Sequence, residues 1–290
     1  MVALSKFPKE GIQPINNGDK WRTFVGKGLV HMSHQHLQHY FQHAHPRAIQ
    51  FGGNTPDGAT NMFHLLASLA EAAQDEKDLP RNDPIALVVL DSTNAFNEQK
   101  RQSIYDNMME GCRAQCPPGL PELQGSENSP YGWDILAGYI QAHYSVKGIL
   151  KCHVNGRTID ILSESGVQQG DTLSSILYAK TAHPSLIRVA EAHPEVIIPS
   201  YQDNLVIVGR LSKVLLAHLM LKHELKNLGL RLNPSESEVY IPAWADAEQT
   251  SMHVCPHFRR IPQEGEANDE FIQMADHRGA NGCKLFQKFT

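Results

Sequence analysis

Two aspartates follow or interrupt apolar segments, at positions from which carboxylates could bind a divalent metal. Asp91 follows the run Ile85–Leu90, and Asp203 lies in Tyr201-Gln202-Asp203-Asn204, between two runs rich in β-branched residues. Such runs on both sides of a tight Asp-Asn turn predict a β-hairpin with Asp203 at its tip. Two carboxylates on strand ends suit a divalent cation next to a phosphate, although a lone strand-end Asp is about as often a helix N-cap.

A glycine-containing segment lies between these two aspartates in the sequence. It is Gly166-Val167-Gln168-Gln169-Gly170-Asp171, followed by a long helical pattern that begins at Thr172. Its glycines would allow the backbone to approach a ligand closely, because they carry no side chain. The sequence therefore suggests three separate segments that could contribute to one binding site.

The order of these segments resembles the palm of a reverse transcriptase, especially the enzymes of non-LTR retrotransposons. Leu90–Asn97 is similar to the first palm motif, Gly166–Asp171 to the second, and Tyr201–Asn204 to the third. Segments 46–59 and 228–236 are similar to further blocks of the same family. The resemblance extends over about residues 3–242, and it implies a fingers and palm fold.

The resemblance implies RNA-directed DNA synthesis by two-metal phosphoryl transfer to a primer 3′-hydroxyl. Asp91 and Asp203 would hold two Mg²⁺, or Mn²⁺ in their place, with the Ser92 carbonyl as a further ligand and Asn204 in the catalytic set. We expect the two carboxylates to lie roughly 4–7 Å apart, the separation that two metals can bridge. The partners would be an RNA or DNA template–primer and deoxynucleotides.

The same resemblance implies a set of nucleotide-binding residues in the cleft. They are Lys6, Ser92, Phe96, Gln169, Gly170 and Tyr201. An aromatic ring at Phe96 would exclude a ribose 2′-hydroxyl and favour deoxynucleotides. We therefore expect Phe96 and Tyr201 to line one cleft.

Three residues depart from the family pattern, and all three departures weaken the chemistry. Asn204 stands where the family has a carboxylate, Gln13 replaces an Arg, and Glu236 replaces a Lys that could protonate pyrophosphate. These changes predict a catalytically impaired or truncated copy. The alternative is a non-catalytic module that binds nucleic acid or protein and retains the palm as a scaffold. An RNA polymerase is a third interpretation, which Phe96 disfavours.

The net charge bears on nucleic-acid affinity, and the cysteines bear on the redox state of the compartment. The 290 residues carry a formal net charge of −5, which argues mildly against a tight, free-standing nucleic-acid binder. Five cysteines lack C-x-x-C spacing, as expected of free thiols in a reducing compartment. No apolar run suggests a membrane span or a signal peptide, so we expect an intracellular protein, nuclear if it acts as a non-LTR enzyme.

The apolar periodicity predicts an α+β fold, in which an antiparallel sheet has helices on one face. The resemblance implies that this sheet is a palm and that the thumb is absent or vestigial. We divide the chain into fingers (1–84), palm (85–242) and a poorly patterned tail (243–290). An inserted hairpin is expected near 150–163, where Asn155-Gly156 suits a type I′ turn. One helix is expected from Asn97 to Gly111 and another, interrupted or bent near Pro184, from Thr172 to His193.

Histidines are concentrated in one stretch, from His31 to His45. On a helix, His36, His39 and His43 share a face and could take zinc. The stretch is interleaved with glutamines and has no Cys or acidic partner, which favours a solvated polar helix instead.

Overall fold

The computed structural model describes residues 2–5, 12–15, 20–111, 133–145, 147–154, 156–234, 236–246, 250 and 259–260. The strands in these residues are β1 (Val2–Ser5), β2 (Ile12–Ile15), β3 (Ala48–Gln50), β4 (Ile85–Leu90), β5 (Gly148–Val154), β6 (Arg157–Ser163), β7 (Ile198–Tyr201), β8 (Asn204–Arg210), β9 (Glu238–Tyr240) and β10 (Arg259–Arg260). The helices are α1 (Lys20–His43), α2 (Gly58–Asp75), α3 (Ala95–Glu98), α4 (Arg101–Gly111), α5 (Trp133–Tyr144), α6 (Ser174–Ala192) and α7 (Leu211–Asn227).

The central sheet has six strands in the order β10-β9-β4-β8-β7-β3. Its inner pairs are antiparallel, whereas β3 runs parallel to β7 and β10 runs parallel to β9. The two central strands, β4 and β8, are almost continuously apolar and buried. A strand with this composition is stable only when both faces of the sheet are covered.

Alternate residues of β4 and β8 enter two separate apolar clusters. Ala86, Val88 and Leu90 pack against α1 and α4–α7 in the larger cluster. Leu87 and Val89 face the other way and pack against Met62 and Leu66 of α2. The α+β class is confirmed, and α2 on the opposite face is an addition to the expected single layer of helices.

Three elements test the sequence prediction in detail. The inserted hairpin is present as β5–β6, and α6 continues through Pro184. The single helix expected between Asn97 and Gly111 is instead two helices, α3 and α4, which are separated at Gln99 and Lys100. None of the described helices is long and apolar enough to span a membrane.

Candidate functional site

The register of β4 and β8 brings Asp91 and the Asp203 turn to one end of the sheet. Leu90, the last residue of β4, pairs with Leu205. Asp91, which follows β4, is therefore opposite Asn204, the first residue of β8. Tyr201 pairs with Asn204, which leaves Gln202 and Asp203 as the two-residue turn of the β7–β8 hairpin. Asp203 is therefore at the hairpin tip, as the sequence predicted.

A buried glutamine holds this turn in place. Gln202 has a left-handed backbone, with φ of 55°. The Gln50 side chain, which is fully buried, accepts hydrogen bonds from the backbone N–H groups of Gln202 (2.9 Å) and Gly52 (2.8 Å). Its amide nitrogen also donates to the Gln202 carbonyl at 3.4 Å. Gln50 thus fixes the residue that precedes Asp203.

The segment that follows α7 supports Asp91 from the other side. The Asp91 carbonyl accepts the N–H of Asn233 at 2.8 Å, and the Asp91 N–H donates to the Ser237 hydroxyl at 3.2 Å. The Thr93 N–H donates to the Arg231 carbonyl at 2.9 Å. These backbone bonds do not involve the Ser92 carbonyl.

Tyr178 of α6, which sequence reasoning did not select, lies close enough to both aspartates for their charges to affect its pKa. Burial, then the charge of Asp203 and that of Asp91, raise the pKa of Tyr178 well above its usual value. The Ser92 hydroxyl is near that of Tyr178 and partly offsets this rise in the pKa. Neither buried hydroxyl has a hydrogen bond of ordinary geometry with a described residue. Buried unpaired hydroxyls are uncommon and suggest that something else completes their bonding.

Asp203 is partly buried at the hairpin tip. Burial raises the pKa of its carboxyl above the ordinary 3.8, against the opposing effect of a backbone hydrogen bond. An ionised carboxylate in such a place is stabilised by a nearby cation. None of the ion pairs between described residues involves Asp203.

The residues present are compatible with a divalent metal, although they offer two carboxylates where the family has three. Asp91 and Asp203 would supply carboxylate oxygens, while Asn204 and the Ser92 carbonyl would supply neutral oxygens, all of which suit Mg²⁺. Among the described residues, no three His, Cys, Asp or Glu side chains converge in a way that could hold a metal. His36 is buried on α1, so the histidine-rich helix is not solvated on all sides.

Phe96 forms part of the wall of this site. It lies in α3 with 9% of its surface exposed, and its ring stacks on Tyr178 with centroids 4.9 Å apart. Tyr201, in contrast, packs against the α2 cluster on the other face of the sheet. The expectation that Phe96 and Tyr201 line the same cleft is therefore not met, because neighbouring strand residues alternate between faces.

The segment from Gly166 to Asp171 packs directly on α3. The N–H of Gly166 donates to the Gln99 carbonyl and that of Val167 to the Phe96 carbonyl, each at 2.7 Å. Gly166 has a φ of 65°, and a Cβ there would lie 2.2 Å from the Phe96 carbonyl oxygen. Only glycine permits both the backbone angle and this close approach.

Gln169 and Gly170 lie in the turn that leads to α6. Gly170 is exposed and has a φ of 98°. The Gln169 side-chain oxygen is buried and has no hydrogen-bond partner among the described residues. With the Ser92 hydroxyl, it is the second unpaired polar atom on the segments that sequence analysis assigned to the site, and the Tyr178 hydroxyl of α6 adds a third.

A buried ionic network anchors this turn to α1 and α5, and the sequence did not reveal it. Arg22 donates to Asp171 and, at 2.9 Å, to Gln168. Tyr139 and Tyr144 donate to the two oxygens of Asp171, and burial together with the Asp171 charge raises the pKa of Tyr139 to about 12. Asp171 lies inside the recognised motif, but nothing in the sequence connects it with Arg22, 149 positions away.

Three further residues that the sequence analysis discussed are Lys6, Gln13 and Glu236. Lys6 lies outside the described residues, and Gln13 is described only as part of the backbone of β2. Glu236 is partly exposed, and its N–H donates to the Asn233 carbonyl at 3.2 Å in the segment that supports Asp91. Of the residues predicted from the sequence, the strand pairing brings together Asp91, Asp203 and their immediate neighbours.

Comparison with known proteins gives a structural similarity and no sequence match. No family model and no curated protein matches the chain. The telomerase from Candida albicans, solved with a fragment of telomeric RNA, superimposes with a TM-score of 0.53 and 11% identity, over 77% of this chain and 35% of that one.

Two further solved structures have lower TM-scores. The apo telomerase of Candida tropicalis, truncated from its C-terminal domain, gives 0.47 at 13% identity, over 76% of this chain and 41% of that chain. The RNA-dependent RNA polymerase of BmCPV at its elongation state gives 0.49 at 12% identity, over 79% and 19%. The chain thus spans less than half of each of these proteins, and the superposition on the C. albicans enzyme shows a polymerase-like fold.

Proposed function

We propose that the chain is the fingers and palm part of a reverse transcriptase-like enzyme of a retroelement, of the non-LTR type, with impaired catalysis. The observation that carries this proposal is the convergence of Asp91 and the Asp203 turn at one end of β4 and β8. The unpaired polar atoms of Ser92, Tyr178 and Gln169 also support it.

Each residue has a task in this proposal. Asp91 and Asp203 would hold two Mg²⁺, which when bound activate the primer hydroxyl and neutralise charge on the triphosphate. Phe96, stacked on Tyr178, would limit the space beside the sugar and so select deoxynucleotides. Gln169 would use its unpaired oxygen toward the template–nucleotide pair. The action would take place in the nucleus, where non-LTR elements copy RNA.

The weakness of the site follows from its charge. Asn204 would coordinate a cation without neutralising its charge, and Glu236 lies on the segment that supports Asp91, where it adds negative charge. Both effects lower affinity for a metal-bound triphosphate. These two residues also favour the second candidate, a module that binds nucleic acid or protein without catalysis.

Primer extension on a homopolymer RNA template, with Mg²⁺ or Mn²⁺, tests the proposal. We expect weak extension by the natural chain, more by Asn204→Asp, and more again when Glu236→Lys is added. Asp91→Ala should abolish extension, while Asp106→Ala, on the exposed side of α4, serves as the matched carboxylate control. Extension that survives Asp91→Ala would contradict the assigned site. Metal-dependent hybrid binding without extension in every variant would support the non-catalytic module.

A further inference from the structure

The exposed side of α1 carries large aromatic side chains as well as positive charge. Trp21 and Phe24 are 78% and 71% exposed, and their rings meet edge to face with centroids 6.3 Å apart. Exposed aromatic side chains of this size cost free energy in water unless they serve a contact. They therefore indicate a binding surface.

The charge of α1 indicates what binds there. The helix contains Lys20, Arg22 and Lys27 and no Asp or Glu, although the whole chain has a net charge of −5. Arg22 is engaged with Asp171, whereas Lys20 and Lys27 are exposed and form no ion pair with the residues that the structure describes. A cationic surface on an acidic protein is complementary to a polyanion.

This surface continues into an open pocket beside the site. The pocket has a volume of about 340 Å³ and is lined by Lys27, Val30, His31, His34, Asn54 and Thr172. Thr172 comes directly after Asp171, and α1 approaches it so closely that a Cβ on Gly26 would lie 3.1 Å from the Thr172 Cβ. The pocket thus connects the exposed face of α1 with the turn that carries Gln169 and Gly170.

We infer that the exposed face of α1 binds single-stranded nucleic acid, the unpaired part of the template, before it reaches the site. Bases stack on Trp21 and Phe24, while phosphates contact Lys20 and Lys27 and enter the pocket beside Thr172. Aromatic platforms within a positively charged groove are the usual means of binding a single strand without sequence preference. The assignment of the strand as template rests on the proposed function.

Binding of a single strand and of a blunt duplex separates the two proposals. The probes are a fluorescein-labelled RNA of about 12 nucleotides, within the span that such channels cover, and a blunt RNA–DNA hybrid of the same length. Fluorescence anisotropy is measured at low salt with Mg²⁺. The variants are Trp21→Ala/Phe24→Ala and, as a matched control, Leu216→Ala/Leu219→Ala on α7, whose side chains are 52% and 51% exposed.

We expect the α1 double variant to lose about tenfold or more in affinity for the single strand, because each base stack contributes substantially. Its affinity for the blunt hybrid should change less than twofold, and the control variant should bind both probes normally. Trp21 fluorescence should be quenched by the single strand, and Trp21→Phe should remove that signal while it retains binding. Replacing Lys20 and Lys27 with Gln should make the plot of log K against log salt concentration less steep. The slope should change by about 0.7 for each phosphate that the chain no longer neutralises.

Three outcomes overturn the inference, and they differ in what they say about the proposed function. Unchanged single-strand binding by the α1 double variant, with Mg²⁺-dependent hybrid binding intact, overturns the inference alone. If the natural chain binds neither probe, both the inference and the proposed function lose their support. Sedimentation that shows a dimer, dissociated by the α1 double variant, would assign this face to contact between copies and also overturn the inference.

Discussion

Tyr178 stacks on Phe96, with ring centroids 4.9 Å apart and planes inclined by 25°, next to Asp91 and Asp203. The pair joins α6 to α3, so the long helix after the glycine-containing turn contacts the wall of the candidate site. The Tyr178 hydroxyl is fully buried, and although the Ser92 hydroxyl is near it, no hydrogen bond of ordinary geometry joins it to a described residue. A hydroxyl in this state destabilises the fold by about 1–3 kcal/mol unless a ligand or water satisfies it.

Replacing Tyr178 with Phe should therefore stabilise the chain in the absence of metal. The substitution keeps the stacked ring and removes the unpaired hydroxyl, so the free energy of unfolding should rise by about 1 kcal/mol. Urea denaturation in EDTA measures it. Tyr240→Phe is the control, because the Tyr240 hydroxyl accepts a hydrogen bond from Gln74 at 2.7 Å and its loss should destabilise. A loss of stability in Tyr178→Phe would indicate that the hydroxyl is already satisfied.

Asp203 should make stability depend on pH in a direction opposite to that of most carboxylates. Its pKa is raised by burial above the ordinary 3.8, so the folded state retains the proton more strongly than the unfolded state. Stability from this group is full below 3.8 and declines as pH rises through the folded pKa. Asp203→Asn should therefore melt at a higher temperature than the natural chain at pH 7 in EDTA, and the difference should vanish near pH 3.

Addition of Mg²⁺ provides the second half of that experiment. A bound cation offsets the buried charge, so Mg²⁺ should raise the melting temperature of the natural chain and leave Asp203→Asn unchanged. Equal stabilisation of both chains would place the metal elsewhere.

Gly166 should be far less tolerant of substitution than another glycine with a similar backbone. Gly166 and Gly156 have φ values of 65° and 73°, but a Cβ would clash with Phe96 and Asn97 only at Gly166. Gly156→Ala measures the cost of the left-handed backbone alone, about 1 kcal/mol. Gly166→Ala adds the steric clash and should cost several times more in urea denaturation. Similar losses would mean that α3 moves away without cost.

The part of the site that depends on local pattern could be predicted from the sequence, and the part that depends on distant packing could not. The turn at Asp203 and the strand before Asp91 have clear patterns, and antiparallel pairing then brings them together. The break between α3 and α4 has no such pattern. It occurs because the Gln99 carbonyl accepts the Gly166 N–H and its side chain donates to the Tyr178 carbonyl at 3.3 Å, which outweighs local helical preference.

The connection between Gln50 and Gln202 was equally inaccessible to sequence reasoning, because 152 positions separate them. A glutamine in an apolar strand carries no sign of its partner. The side of the sheet that Tyr201 faces also follows from a register that only the paired strands define.

Gln50 should control metal binding through the position of the hairpin turn. Gln50→Leu leaves the N–H groups of Gly52 and Gln202 without their acceptor, which should cost about 1–3 kcal/mol of stability. Because Gln202 then loses its fixed backbone, Asp203 should sample several orientations and Mg²⁺ affinity should fall. Isothermal titration with Mg²⁺ measures the affinity, and urea denaturation measures the stability.

Gln74→Leu separates these two effects. Gln74 on α2 donates to Tyr240 and accepts the Ala243 N–H at 3.3 Å, so its loss should lower stability by a similar amount. These two hydrogen bonds are made with β9 and the segment after it, so Mg²⁺ affinity should remain that of the natural chain. If both variants lost Mg²⁺ affinity equally, general loosening would explain the result. Only a selective loss in Gln50→Leu supports a turn that positions Asp203 for the metal.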